Sequence, residues 1–340
     1  KHGLVTWGET SKESYNKTID IINEAEAYIN KKAENHTLFG GSKYESLQKE
    51  EREAILSDIL PVIRGQVSQD KKMLVTYNDD EHVLEFVNSK DAKELSQVGA
   101  ACPDHLVHTK RVPLFIDWDP QSGDKEDLLA KIKDGLSAYK EEYIAYFERN
   151  KKEGDQIVET APRIILIPGL GMINTGKSWS AANVSEQLYH RAIAVMSGAT
   201  VLGNFVSLNE EESYLIEYWP LELYKLSLAP PEAEFSRQVA FVTGGAGGIG
   251  TATTYRLLEE GAHVVIADIN LEGAEELAKE VNEKYGANRA LAVKMDVTKE
   301  EEVKKAIAAS VRKYGGIDIL VNNAGLASSS PFEETTMEQW

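Results

Sequence analysis

Thr243, Gly244, Gly248, Ile249 and Gly250 stand in a glycine-rich run that follows the apolar stretch Val239 to Val242. Glycine lets the main chain turn tightly and lets a ligand come close to its N–H groups. Between a strand and a helix N-terminus, those groups and the helix dipole favour an anion such as a pyrophosphate. Two patterns overlap here: Gly-x-Gly-x-x-Gly on Gly245, Gly247 and Gly250, and Thr-Gly-x-x-x-Gly-x-Gly on Thr243, Gly244, Gly248 and Gly250. Asp268 ends the next apolar run, His263 to Ala267, about eighteen residues past Gly250. A carboxylate there can accept both ribose hydroxyls of an adenosine and would repel a 2′-phosphate. The loop carries no Arg or Lys to neutralise such a phosphate, so NAD is expected over NADP.

The elements that must position these groups follow from periodicity. A helix is expected to open at about Thr251, and another reads from Leu271 to Tyr285 with Leu277 and Val281 on one face. A third strand, Ala290 to Met295, leads to Asp296 and Val297. After a further helix, Ile317 to Val321 leads to Asn322-Asn323-Ala324-Gly325. Four strands alternating with helices predict an α/β fold with a doubly wound parallel sheet, a partial Rossmann fold, preceded by a mixed α/β region.

As a set, the glycine pattern, the acidic end of the second strand, Asp296-Val297 and Asn322-Asn323-Ala324-Gly325 resemble the short-chain dehydrogenase/reductases over about residues 235–340. The resemblance implies that Asp296 and Val297 flank the adenine and that Asn323 lies beside the nicotinamide ribose. Ala324 and Gly325 join the same cofactor-binding set. It also implies that the proton-transferring Ser, Tyr and Lys follow the fourth strand. No Tyr-x-x-x-Lys follows Gly325, so these catalytic residues are expected beyond Trp340. Residues 1–340 alone are therefore expected to be inactive and prone to aggregate along the edge Ile317 to Val321.

Length and composition bound the rest. In 340 residues two or more cores are expected. There is no run of eighteen apolar residues and no apolar leader, so neither a membrane span nor secretion is indicated. One cysteine, Cys102, excludes an intrachain disulfide and fits a reducing, cytoplasmic compartment. A formal net charge of −18 argues against a nucleic-acid partner. A small-molecule substrate and a homo-oligomer are expected.

The Pro-containing segment 229–234 reads as a linker ahead of a dehydrogenase region at 235–340. Upstream, Lys1 to Gly8 reads as the end of a hairpin. Thr10 and Glu13 form a capping-box pattern for a helix to about Lys32, with Ile19, Ile22, Ala25, Ala27 and Ile29 on its apolar side. Residues 163–198 resemble that unit: the strand Arg163 to Pro168, a hairpin, then a helix from about Ser180 to Met196. Aligning Gly3 with Gly171 suggests a degenerate repeat in which Leu170 takes the place of His2. Gly171 to Ser178 also satisfies the P-loop rule. Against that reading, Met172 and Ile173 look strand-like, and the apolar stretch Val201 to Leu208 ends without an Asp for Mg²⁺. His105 and His108, beside Cys102 and Asp104, could be metal ligands but read better as structural. Tyr143, Tyr146 and Phe147 read as core, Glu210 to Glu212 as a solvated turn, and Lys49 to Glu53 as an exposed helix face.

His2-Gly3, opening a hairpin before a helix, resembles the class II aldolases. That resemblance makes His2 the third ligand of a divalent metal, expected to be zinc, whose other ligands would precede residue 1. Such a metal polarises a carbonyl and stabilises an enediolate as a carbon–carbon bond breaks. The order of the two regions is similar to the bifunctional rhamnulose-1-phosphate aldolase/alcohol dehydrogenase family. The strings Leu60 to Gly65, Cys102 to His105, Pro168 to Met172 and Glu217 to Glu222 resemble it as well. By that resemblance residues 1–36 are the tail of an aldolase domain, and 37–228 form a middle, degenerate aldolase-like domain. The implied activities are cleavage of a sugar phosphate and NAD-dependent oxidation or reduction of the alcohol or lactaldehyde product. Two alternatives stay open: a dehydrogenase with a non-catalytic assembly region, and a non-catalytic nucleotide sensor.

Overall fold

A computed structural model describes residues 3–228, 230–325 and 331–337. The first helix, α1 (Ser11–Ala33), opens at Thr10, whose hydroxyl accepts the Glu13 N–H as the capping pattern requires. It is followed by α2 (Lys49–Val67), β1 (Leu74–Asn78), α3 (Glu81–Val87), α4 (Ala92–Ser96), α5 (Leu106–Thr109), β2 (Leu114–Phe115) and α6 (Lys125–Asn150). Next come β3 (Ile164–Ile167), β4 (Gly171–Gly176), α7 (Trp179–Leu202), α8 (Glu210–Glu217) and α9 (Pro220–Ser227). The last third alternates regularly: β5 (Val239–Thr243), α10 (Gly248–Glu259), β6 (His263–Asp268), α11 (Leu271–Tyr285), β7 (Ala290–Lys294), α12 (Glu300–Tyr314) and β8 (Ile319–Val321). No described helix is long and apolar enough to cross a membrane.

The chain divides into two compact units that interleave in sequence. One comprises Lys1–Gln48, Asn78–Ile173 and Ser185–Leu223; the other comprises Lys49–Tyr77, Asn174–Val184 and Tyr224–Trp340. The first four strands form a sheet in the order β1-β4-β3-β2, with β2 and β3 parallel. Only three residues join the neighbours β3 and β4, too few for a crossover, so they form an antiparallel hairpin. In the first unit, Ile164, Leu166 and Met172 pack with Phe39, Phe86, Tyr189, Ile193 and Met196. A second cluster joins Tyr143, Tyr146 and Phe147 of α6 to Tyr214 and Tyr218, as expected of core aromatics.

Several expectations for this part are corrected. Residues 3–8 form no strand; the Thr6 hydroxyl instead donates to the Ser14 carbonyl and contacts the Thr18 hydroxyl, tying the segment to α1. The hairpin–helix unit at 164–202 therefore has no counterpart at the start of the chain, and the repeat fails. α1 has no buried residue, so its apolar side is not core. Gly171 to Gly176 is a strand buried at every position, not a phosphate loop, which removes the P-loop alternative. Val201 and Leu202 close α7, and no strand occupies 203–208. Glu210 to Glu212 form the first turn of α8 rather than a free turn. Asn209 caps that helix reciprocally with Glu212, and acidic residues there offset the helix dipole.

In the second unit the strand order is β7-β6-β5-β8, with every pair parallel. Side chains alternate across the sheet. Ala240, Val242, Val264 and Ile266 face Leu257 and Leu258 of α10 and Leu277 and Val281 of α11. Val239, Phe241, Val265 and Ala267 face Ala306 and Tyr314 of α12 together with Leu74 of β1. α2 belongs to this unit, and its buried Arg64 pairs with Asp318 just before β8.

Candidate dinucleotide site

A parallel sheet sends all its strands the same way, so the segments after β5, β6, β7 and β8 gather at one edge. The order reverses at β5, between β6 and β8, and a crevice forms at such a switch point. Gly244, Asp268, Asp296 and Asn323 lie at the carboxyl ends of these four strands. The sequence-predicted set is thus brought together by topology.

The glycines divide by what surrounds them. Gly244 has φ +63°, a left-handed conformation that favours glycine, and a Cβ there would lie 3.0 Å from the Ala324 Cα. A Cβ at Gly250 would lie 2.1 Å from the Gly244 carbonyl oxygen. Both are demanded by the protein's own packing. At Gly248 a Cβ would meet no atom within 4 Å, so the fold does not require glycine there. That space lies in the first turn of α10, which starts at Gly248 rather than near Thr251, because Gly247 serves as its N-cap. Gly247 has no side chain to cap the helix. The N–H groups of a first turn have no intrahelical partners, and an anion can take them.

Asp268 is nearly buried and held from two sides. Ala246 N–H donates to its Oδ2 at 3.0 Å and Asn270 N–H to its Oδ1 at 2.9 Å. The carboxylate is thereby locked against the glycine loop, each oxygen keeping a lone pair for a further donor. Asn323 braces the other side: its side-chain amide donates to the Thr243 and Gly244 carbonyls, both at 3.0 Å. The Thr243 hydroxyl accepts the N–H groups of Asn323 and Ala324, each at 3.0 Å, and donates to the Val321 carbonyl. Asn323 and Thr243 thus build the loop, with the Asn323 Nδ2 committed to it. Asp296 accepts from the hydroxyl and N–H of Thr298, which with Lys299 hold its carboxyl below the usual range.

Apolar surface beside these polar groups was only partly foreseen. Ile249, Ile269 and Val297 are 76%, 65% and 48% exposed, unusual for side chains so close to strand ends. Ile269 escaped the sequence reading because nothing but its position after Asp268 marks it. Three exposed aliphatic groups around a locked carboxylate and an uncapped helix suit a heterocycle carried on a ribose and a pyrophosphate.

His2 lies outside the described residues, so its expected metal role has no structural counterpart here. His105 and His108 sit on consecutive turns near α5, and burial pushes both imidazoles down, favouring the neutral form. Among the described residues no three His, Cys, Asp or Glu side chains converge as metal ligands.

Comparison with known proteins gives two family matches that meet between residues 226 and 238. Residues 53–226 match the family described as "Aldolase class II, second domain", and residues 238–340 match "short chain dehydrogenase". The chain is 62% identical over all its 340 residues to an uncharacterized oxidoreductase, YuxG, of Bacillus subtilis, of which it covers 49%. It thus spans about half the length of that relative. A D-threitol dehydrogenase of Mycolicibacterium smegmatis is 42% identical over 103 residues, 30% of this chain and 39% of that one. A solved 3-ketoacyl-(acyl-carrier-protein) reductase from Brucella melitensis is 39% identical, covering 30% of this chain and 40% of that one, with a TM-score of 0.28.

Proposed function

The chain belongs to the class II aldolase second-domain family and continues into a short-chain dehydrogenase region, and from that premise we propose that it is part of a bifunctional sugar-phosphate aldolase/NAD-dependent dehydrogenase. The observation that carries the dehydrogenase half is the uncapped α10 N-terminus, with open space at Gly248 and the locked carboxylate of Asp268 beside it. When bound, NAD would supply a hydride acceptor for an alcohol, or as NADH a donor to an aldehyde. Gly248, Ile249 and Gly250 would hold its pyrophosphate, and Asp268 the adenosine ribose. Asp296 and Val297 would flank the adenine, with Asn323, Ala324 and Gly325 at the nicotinamide end. The protein's part here is to bind and orient; the proton-transferring residues of the family's pattern are not among residues 243–325.

For the aldolase half we favour a ketose 1-phosphate such as rhamnulose 1-phosphate, cleaved to dihydroxyacetone phosphate and lactaldehyde. The support is the order of the two family matches and the short strings shared with that bifunctional family. A divalent metal, zinc by the chemistry of the family, belongs to this half. By the resemblance to that family, residues 37–228 act as scaffold in this reading. A cytoplasmic homo-oligomer acting on small molecules completes the proposal.

The test is cofactor choice. NAD is expected to bind at least about tenfold more tightly than NADP, about 1.4 kcal/mol. Asp268→Ala should narrow that ratio. Asp268→Asn, which keeps an acceptor for Ala246 N–H but loses the charge, should narrow it too. Equal affinities of the parent for the two cofactors would overturn the assignment of Asp268.

A further inference from the structure

The first unit contains a pocket of about 350 Å³ apart from the dinucleotide site, walled by α6 and by residues 111–115. Leu114, Phe115, Tyr139, Tyr143 and Tyr146 line it, with Arg111. The three tyrosines have already spent their hydroxyls. Tyr139 donates to the Val112 carbonyl at 2.9 Å; Tyr143 and Tyr146 donate to the Glu217 carboxylate at 2.6 and 3.2 Å. Burial, and then the charge of Glu217, push all three phenols up, so these protons stay in place. What the tyrosines offer a guest is ring surface.

The charged groups at the pocket are matched, with one exception. Lys93 pairs with Asp117 at 2.8 Å, and the Arg149 guanidinium serves both Glu142 and Glu210. Gln97 donates to the Pro113 carbonyl. Among the described residues Arg111 makes no ion pair, the Glu210 carboxylate of the same pocket acting on it only at longer range, and its buried Nε–H finds no acceptor. A buried charged donor without an acceptor is costly, and an occupant that supplies one is stabilised in proportion. The residue before it, Lys110, is buried at φ 60° and ψ 180°, a region that belongs almost wholly to glycine. Its ammonium sits 3.3 Å from the centroid of the Tyr143 ring and donates to the Glu159 carbonyl. Strain of this kind persists where surrounding contacts over-determine it, as at ligand clamps. It sets the direction in which the chain delivers Arg111.

We propose that this pocket binds a small carboxylic acid with an apolar body, its carboxylate on the Arg111 guanidinium and its body against the tyrosine rings. The planar guanidinium fork matches a carboxylate in two parallel hydrogen bonds. One unmatched cation suits a monoanion. A sugar phosphate fits badly, because its hydroxyls would be desolvated against rings whose own hydroxyls are committed elsewhere. The guest is therefore chemically distinct from the sugar phosphate and the nucleotide of the proposed reactions.

Calorimetric titration of the chain with benzoate tests this, with benzamide as the neutral isostere and inorganic phosphate as the anion without an apolar body. Saturable one-site binding of benzoate is expected, with benzamide and phosphate each at least about tenfold weaker. Arg111→Met should abolish it. Ala138→Leu, which enters the pocket from an exposed position on α6 and leaves every charge in place, should also block it. If Arg111→Met fails to fold, Ala138→Leu and the benzamide comparison decide on their own. No saturable benzoate binding, equal binding of benzamide, phosphate as tight as benzoate, or binding unchanged in a folded variant would each overturn the proposal.

Discussion

At the scale of single residues, the glycine loop separates positions required by the fold from positions left open for a ligand. Gly250→Ala forces a Cβ into the Gly244 carbonyl and should cost about 1–3 kcal/mol of stability as well as cofactor affinity. Gly248→Ala meets no side chain or neighbouring element within 4 Å, so it should leave the unfolding midpoint unchanged or slightly raised, alanine being the better helix former, while weakening NAD binding. Denaturant titration and cofactor fluorescence on both variants check the pair; equal destabilisation would remove the open space assigned to a ligand. His263 is a second residue with a measurable signature. It is buried, its Nε2 accepts the Trp179 N–H, and burial first, then Arg289 and Arg64, pull its pKa down to about 3. The unfolded imidazole binds a proton near pH 6.5 and the folded one does not. Its contribution is thus fully present above pH 6.5 and lost as pH falls towards 3, at most about 1.4 kcal/mol per pH unit. His263→Leu should flatten that part of the stability–pH curve.

At the scale of elements, regular alternation made β5 through α12 readable. Continuous apolar runs marked the strands, and Leu277 with Val281 marked the buried face of α11. The start of α10 was misjudged because glycine is a weak helix former, yet Gly248 and Gly250 lie inside the helix. Beyond the strand pairing of β5 with β8, one hydroxyl ties the end of β5 to the segment after β8. Thr243→Val keeps the shape but strips the acceptor from the N–H groups of Asn323 and Ala324, which should cost about 1–3 kcal/mol. Because Asn323 also braces the Gly244 carbonyl, NAD affinity should fall with it, and parallel unfolding and binding measurements on this variant check both losses.

At the scale of the whole molecule, the division into compact units departs from the composition, which marked a break only at 229–234. Residues 49–77 join the dehydrogenase unit through Leu74, packed on the sheet, and through Arg64, paired with Asp318 across 254 positions of sequence. Burial alone would push the Asp318 carboxyl up, but the Arg64 charge and hydrogen bond win and hold it below the usual range. Arg64→Met, which leaves Asp318 half-buried with the exposed Lys72 and the Val239 N–H as its remaining partners, should destabilise by about 3–5 kcal/mol in chemical unfolding. Residues 224–340 expressed alone should melt lower than the same region with 49–77 restored. Equal melting temperatures would show that the added helix and strand contribute no stability.

The sequence by itself determined which residues gather at the carboxyl edge of the second sheet, because glycine spacing and strand alternation act over a few residues and a parallel sheet then gathers the strand ends. It also determined the α1 cap at Thr10 and the aromatic core around Tyr143. Only the tertiary structure shows residues 3–8 outside any strand, with the Thr6 hydroxyl tied to α1. It decided that α2 belongs with a sheet far along the chain, and that of the charged groups around the α6 pocket Arg111 is left unmatched. Those outcomes depend on which distant side chains come within reach of one another, and no local window of sequence carries that information.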